Sequence, residues 1–245
     1  MKLELFDLLD KEPIVIDGVG TLKPPTLREI KKLGDLYNLY VVLLLIHPKD
    51  YIKTFNLSNV YLDINTESLT IFDLIEENED VARQYLSLFS FFFIEEVVFN
   101  KIFKYFILRN RDSIVGYIDK NNFEDIRNCI AQLNYLKTEE ELKQPKFKGK
   151  KARQIAETIA KAKERSKKDN QNILELTLAQ KISKYCADNK NGINLLNVFD
   201  MTVYQFYNQF IQHNYIKQCD LQNAIYANTV NITDIKTFDP NLWLK

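Results

Sequence analysis

The sequence predicts a mainly α (α+β) fold: a helical body with a small N-terminal β-hairpin or sheet and a C-terminal helical domain. Three observations carry this. Gly and Pro are scarce, six of each in 245 residues, which disfavours a turn-rich sandwich or barrel and favours long helices with few breaks. Apolar residues make up 46% of the chain, enough to bury a sizeable core as one large domain or two small ones. One early stretch, PIVIDGVGTL (13–22), places two apolar runs around Asp17-Gly18, a dipeptide suited to the positive φ angles of a hairpin turn.

The elements follow in order. In PPTLREI, Thr26 stands three residues before Glu29, the capping-box spacing, and predicts a helix over 27–46. Its apolar positions Leu27, Ile30, Leu33, Leu36, Tyr37 and Tyr40 keep helical period before the run turns apolar all round, so burial on every side is expected for its second half. The middle reads as helix near 48–55, 80–93 and 123–136, with SIVGYID (113–119) as a β-branched, alternating strand paired with the opening hairpin. A calcium-loop reading of DKNNFEDIRN is set aside, because the central glycine and the closing glutamate are missing. Farther on, a helix over 173–188 is stopped by NKNG, with Gly192 as a left-handed C-cap. A second helix, capped near Asp200 or Thr202, presents a broad aromatic face of Val203, Phe206, Tyr207, Phe210, Ile211 and Tyr215. Trp243 near the C-terminus reads as an anchor of the tail on its own domain, a partner contact being the alternative.

Charge is distributed unevenly within a formal total of zero. Residues 143–168 hold eleven Lys and Arg against two Glu, a net of +9, so the remainder carries −9. Ala152, Ile155, Ala156, Ile159 and Ala160 give that stretch a narrow apolar stripe at helical spacing, opposite Lys150, Arg153, Lys161 and Lys168. The polar KKDNQN follows. The expected organisation is an α+β domain over 1–143, a basic linker helix over 144–170 and a helical domain over 171–245. Lys150, Lys151, Arg153 and Lys161 are the basic candidates for meeting an acidic protein surface, on this chain or on a partner. Phosphate binding ranks second, since the stretch has no base-reading Asn, Gln or aromatic cluster and the acidic body repels a polyanion.

Catalysis finds little support. His47 and His213 have no Ser or Cys motif beside them, GVG at 18–20 opens no helix, and the carboxylate runs IEENED and TEEEL read as solvated helix starts. Cys129, Cys186 and Cys219 are odd in number and widely spaced, which fits reduced buried thiols. The expectation is a non-enzyme without cofactor or metal. The longest apolar runs, LYVVLLLI and LFSFFFI, are far short of a membrane span, and the N-terminus lacks a signal-peptide cleavage site, so a soluble intracellular protein is expected.

Three stretches, GVGTLKPPTLREIKKLGDLYNLYVVLL (18–44), GKKARQIAETIAKAKERSKK (149–168) and GINLLNVFDMTVYQFYNQF (192–210), with the near-terminal Trp243, resemble the tail assembly chaperone-like proteins of tailed phages and prophages of Gram-positive bacteria. The resemblance implies a non-enzymatic protein of the host cytoplasm that binds the tape-measure protein until tail-tube subunits polymerise around it. The apolar capture of an amphipathic helix suits Tyr204, Tyr207, Ile211 and Tyr215, which otherwise read as core. A structural virion component at neck, tail or baseplate, and then a nucleic-acid-binding regulator, are the alternatives. A homo-oligomer is compatible with all three.

Overall fold

The protein is described by a computed structural model, which covers residues 1–55, 57, 69–111, 113–136, 176–190 and 192–227. The fold is α+β. By compactness the chain divides into two units, one of Met1–Thr138 with Asn197–Lys245, the other Glu139–Leu196. The basic segment 144–170, on which the expected domain boundaries rest, lies outside the described residues. The helix assigned from sequence to a C-terminal domain shares the first unit with the N-terminal part.

A short helix α1 (Leu5–Leu9) precedes the hairpin β1 (Ile14–Ile16) and β2 (Gly20–Leu22), paired antiparallel. The loop holds three residues, because Ile16 pairs with Gly20 and the Val19 N–H donates to Ile16 O at 3.0 Å. Gly18 supplies the left-handed φ of 72° that this loop needs.

The capping box at Thr26 forms as expected: Glu29 N–H reaches the Thr26 hydroxyl, and the Glu29 carboxylate accepts from the Thr26 N–H at 2.9 Å. The helix it opens is not continuous to 46. It breaks at Gly34, φ 57° and ψ −128°, into α2 (Leu27–Leu33) and α3 (Asp35–Leu45). A glycine holds this conformation without the Cβ clash that would confine another residue to helix, so the apolar periodicity runs across the break unchanged. Nor is α3 buried on every side. Tyr37, Tyr40, Leu43 and Leu44 face the core, while Leu36, Val42 and Leu45 are about two-fifths exposed. One flank of α3 meets protein and the other meets solvent.

Helices α4 (Pro48–Thr54), α6 (Glu79–Phe92) and α7 (Phe123–Leu133) form where their patterns place them, and a helix not expected from the sequence, α5 (Ile71–Glu77), opens on a Thr70–Asp73 capping box. Between α6 and α7 runs an antiparallel meander, β3 (Glu96–Asn100), β4 (Tyr105–Asn110) and β5 (Ser113–Ile118). The strand read in SIVGYID is therefore real, but its ladder partner is β4. Its link to the hairpin is a single hydrogen bond, Tyr117 N–H to Gly18 O at 3.2 Å.

Phe89 of α6 centres the core. Its ring meets Phe106 at 5.0 Å and Phe123 at 6.0 Å, both edge-on, and Tyr85 and Phe72 continue the cluster through Phe123 at 5.3 and 5.4 Å. Each such pair contributes about 0.5–1.5 kcal/mol beyond burial. One charge sits inside. Arg127 is 6% exposed; its Nη1 donates to Ile46 O at 3.3 Å, where the cation faces the carbonyl end of α3, a favourable position in the helix dipole. Its Nε lies 3.2 Å from Glu124 at an angle too poor for a hydrogen bond.

In the second unit, α8 (Leu178–Asp188) starts at Thr177, capped reciprocally with Gln180, and buries Ile182 and Tyr185. Asn189 ends it in extended backbone. Gly192, φ 92°, lies three residues past that cap and turns the following loop rather than closing the helix. The first unit resumes with a 3₁₀ turn (Val198–Asp200) and α9 (Val203–Ala227).

Candidate functional site: the aromatic face of α9

Two helix starts are built against each other. Thr202 caps α9 as Thr26 caps α2: its hydroxyl accepts from Gln205 N–H at 3.1 Å, and Gln205 Oε1 accepts from Thr202 N–H at 3.0 Å. Thr26 and Thr202 form an antiparallel bridge, with Leu27 N–H donating to Met201 O and Val203 N–H to Pro25 O, each at 2.9 Å. Two of the N–H groups that a helix start leaves open are thereby satisfied by the other segment's carbonyls. Asp200 is not the cap; it receives Arg28 Nη2 at 2.7 Å. Gln205 Nε2 donates to Leu9 O at 2.8 Å, and Lys31 lies over the Phe199 ring at 5.4 Å. The entry angle of α9 is thus fixed by five contacts with the N-terminal segment before any core packing is considered.

This bridge aims the first turns of α9 at the C-terminal end of α7. There the chain closes in a Schellman motif: Leu136 N–H reaches Ala131 O, and Tyr135 N–H reaches Gln132 O, both at 3.0 Å. The motif demands a left-handed residue, and the residue is Tyr135, φ 58°, where glycine or asparagine is usual. Its ring explains the choice. It meets Tyr204 at 5.0 Å and stacks on Tyr207 at 5.8 Å with planes 19° apart. Beneath, the Tyr37 hydroxyl donates to Asn134 Oδ1 at 3.0 Å, and Asn134 Nδ2 donates to Ile130 O at 2.7 Å. Asn134 is 1% exposed, and its amide satisfies both neighbours.

Burial pushes the Tyr37 phenol well above its ordinary range, with Tyr207 adding to the effect, and burial raises Tyr207 as well. Both stay neutral donors. The Cys129 thiol is pushed up to about 11 by burial, which removes the thiolate that reactivity requires. Among the described residues no three His, Cys, Asp or Glu side chains are placed to hold a metal ion. His47 stands at the start of α4 and His213 half-buried on α9. The turn at Asp119 accepts the N–H groups of Asn121 and Asn122 at 2.9 and 3.3 Å as the lead-in to α7.

Of the partner-binding residues expected from sequence, Tyr204 and Tyr207 come together on Tyr135, and Ile211 and Tyr215 are half-buried farther along α9. Lys150, Lys151, Arg153, Lys161 and Trp243 lie outside the described residues. Tyr135 was missed by sequence reasoning; no local signal marks a tyrosine in place of the C-cap glycine. Rings, neutral hydroxyls and amides make this the packing surface between α7 and α9. A family model described as YomV second domain matches residues 165–245, the last third of the chain, and it stands for a phage-associated domain family. No curated protein and no solved structure gave a match. Among the described residues no helix is long and apolar enough to cross a membrane.

Proposed function

We propose that this chain is a non-enzymatic binding protein of phage morphogenesis, a tail assembly chaperone that holds an amphipathic helix of the tape-measure protein. The observation that carries the reading is the half-buried aromatic face of α9, Tyr204, Tyr207, Ile211 and Tyr215, inside the segment similar to a phage-associated family. The three stretches resembling tail assembly chaperone-like proteins supply the specific role. Helix-on-helix docking works through side chains that repeat on one face, and Tyr204, Tyr207, Ile211 and Tyr215, at i, i+3, i+7 and i+11, share a face of α9.

The experiment is co-expression with a phage tape-measure protein. A soluble complex weakened by Ile211→Asp or Tyr215→Asp is the expected outcome. A tape-measure protein that stays insoluble and unbound would sink the proposal. Mass spectrometry of purified particles separates it from a virion component, because a chaperone is absent from the particle and a structural protein is present at fixed stoichiometry.

A further inference from the structure

The outer face of the β3–β4–β5 meander is apolar where a sheet turned to water normally becomes polar. Register aligns Val98, Ile107 and Tyr117 in one row across the three strands. Beside that row the Tyr105 ring meets Tyr117 edge-on at 5.2 Å and stacks with Phe103 at 6.0 Å. Phe103 is 67% exposed and Tyr117 42%. The polar groups on the face are the Glu96–Arg109 ion pair at 2.8 Å and Asn100, opposite Tyr105. Past Val98 lies a groove of about 330 Å³ against α6, with Ala82, Leu86 and Phe99 as its apolar lining and Glu79, Arg83 and Lys101 as its charged lining. A contiguous exposed apolar surface of this kind marks an interaction site.

Size and charge indicate its occupant. Three strands about 4.8 Å apart, each five or six residues long at about 3.3 Å per residue, span roughly 14 by 18 Å, or about 250 Å². A stable dimer needs about 800 Å² from each partner, so a second copy seated here is poorly supported. A helix about 10 Å wide and three turns long, about 16 Å, matches the face. Cations stand at both ends of the strands: exposed Lys104 in the β3–β4 turn and exposed Arg111 in the β4–β5 turn, each on left-handed backbone at φ 57° and 54°. Lys101 and Arg109 are paired with Glu79 and Glu96, whereas neither Lys104 nor Arg111 has an ion pair among the described residues.

We infer that this face seats a three-turn amphipathic helix of a partner protein, its apolar stripe on Tyr105, Ile107 and Tyr117 and its acidic residues opposite Lys104 and Arg111. The inference depends neither on the α9 surface nor on a role in tails.

The test uses the full chain and fluorescent helical peptides of about 14 residues, with leucine at i, i+3, i+4 and i+7 and either glutamates or lysines at both ends. Fluorescence anisotropy should show the glutamate-ended peptide binding at least about ten-fold tighter. Phe103→Ser with Tyr117→Ser should weaken it about ten-fold or more with the thermal midpoint kept, since both side chains are exposed. Lys104→Glu with Arg111→Glu should invert the preference toward the lysine-ended peptide. No binding, equal binding of the two peptides, or a homodimer in sedimentation that Phe103→Ser with Tyr117→Ser dissolves, would each overturn the inference.

Discussion

At Gly116 the backbone of β5 meets the backbone of the hairpin loop. A Cβ built on it would stand 2.3 Å from Gly18 O and 2.5 Å from Val19 O, both backbone atoms that no rotamer change can remove. Gly116→Ala must therefore push the hairpin loop off β5 and break the Tyr117 to Gly18 hydrogen bond. A loss of at least about 3 kcal/mol is expected in urea unfolding, and a loss below about 1 kcal/mol would show that the hairpin moves cheaply. Gly18→Ala is the control: nothing lies within 4 Å, and only the left-handed φ of 72° opposes it, at about 1 kcal/mol. The sequence held a warning at Gly116, since a glycine inside a β-branched strand often marks a close backbone approach. Which backbone approaches it was illegible, because that contact spans about a hundred residues.

At the scale of elements, the docking of α9 on α7 depends on Tyr135 accepting a left-handed backbone, at a cost of about 1 kcal/mol, for the sake of its ring. A double-mutant cycle between Tyr135→Ala and Tyr207→Ala should give a coupling of about 1 kcal/mol, because each substitution removes the same stacked pair. Additive losses would place the stabilisation of α9 elsewhere, in the Thr26–Thr202 bridge. Capping chemistry was the most legible part of the fold. Thr26 with Glu29 declared one helix start, and Thr202 was one of two candidates for the other. The strands β3 and β4 were not legible, and the reason is physical. Val98, Tyr105 and Ile107 on the outer face are as apolar as Val97, Phe106 and Leu108 on the inner, so the two-residue period that announces a half-buried strand is erased. The break at Gly34 was hidden for a related reason, since α2 and α3 bury residues in nearly the same helical phase.

For the whole molecule, the acidic surface sets the response to pH. Partial burial works against the charge of Asp73, but Lys120 at 2.5 Å and the Thr70 N–H hold its carboxyl below the ordinary range. Glu29 is lowered likewise against its burial, by Thr26 and Lys23. Lys101 lowers Glu79, and Arg109 lowers Glu96. A carboxylate whose folded pKa is depressed adds stability above its unfolded pKa, near 4, and loses it as pH falls through the folded value. Thermal melts should therefore be level between about pH 5 and 7 and fall below about pH 4. Asp73→Asn should lower the plateau and flatten part of the acid limb. An acid limb unchanged by that substitution would remove Asp73 from the account. The charge asymmetry behind this was visible in composition; which carboxylates are paired was not, because Asp73 and Lys120, like Glu79 and Lys101, meet only through the tertiary fold.

The shared start of α2 and α9 also sets an order of events during synthesis. The Leu27 N–H has its acceptor in Met201, so the segment that opens the helical body leaves the ribosome long before its partner exists. About 175 residues separate the two, and at roughly 5–20 residues per second the wait is on the order of ten to thirty-five seconds. Tyr135 follows Leu27 by 108 residues and precedes Met201 by 66, so only for the last roughly three to thirteen seconds of that wait does its ring lack the partner that α9 supplies. The nascent chain thus leaves this aromatic surface open until α9 is made and covers it last.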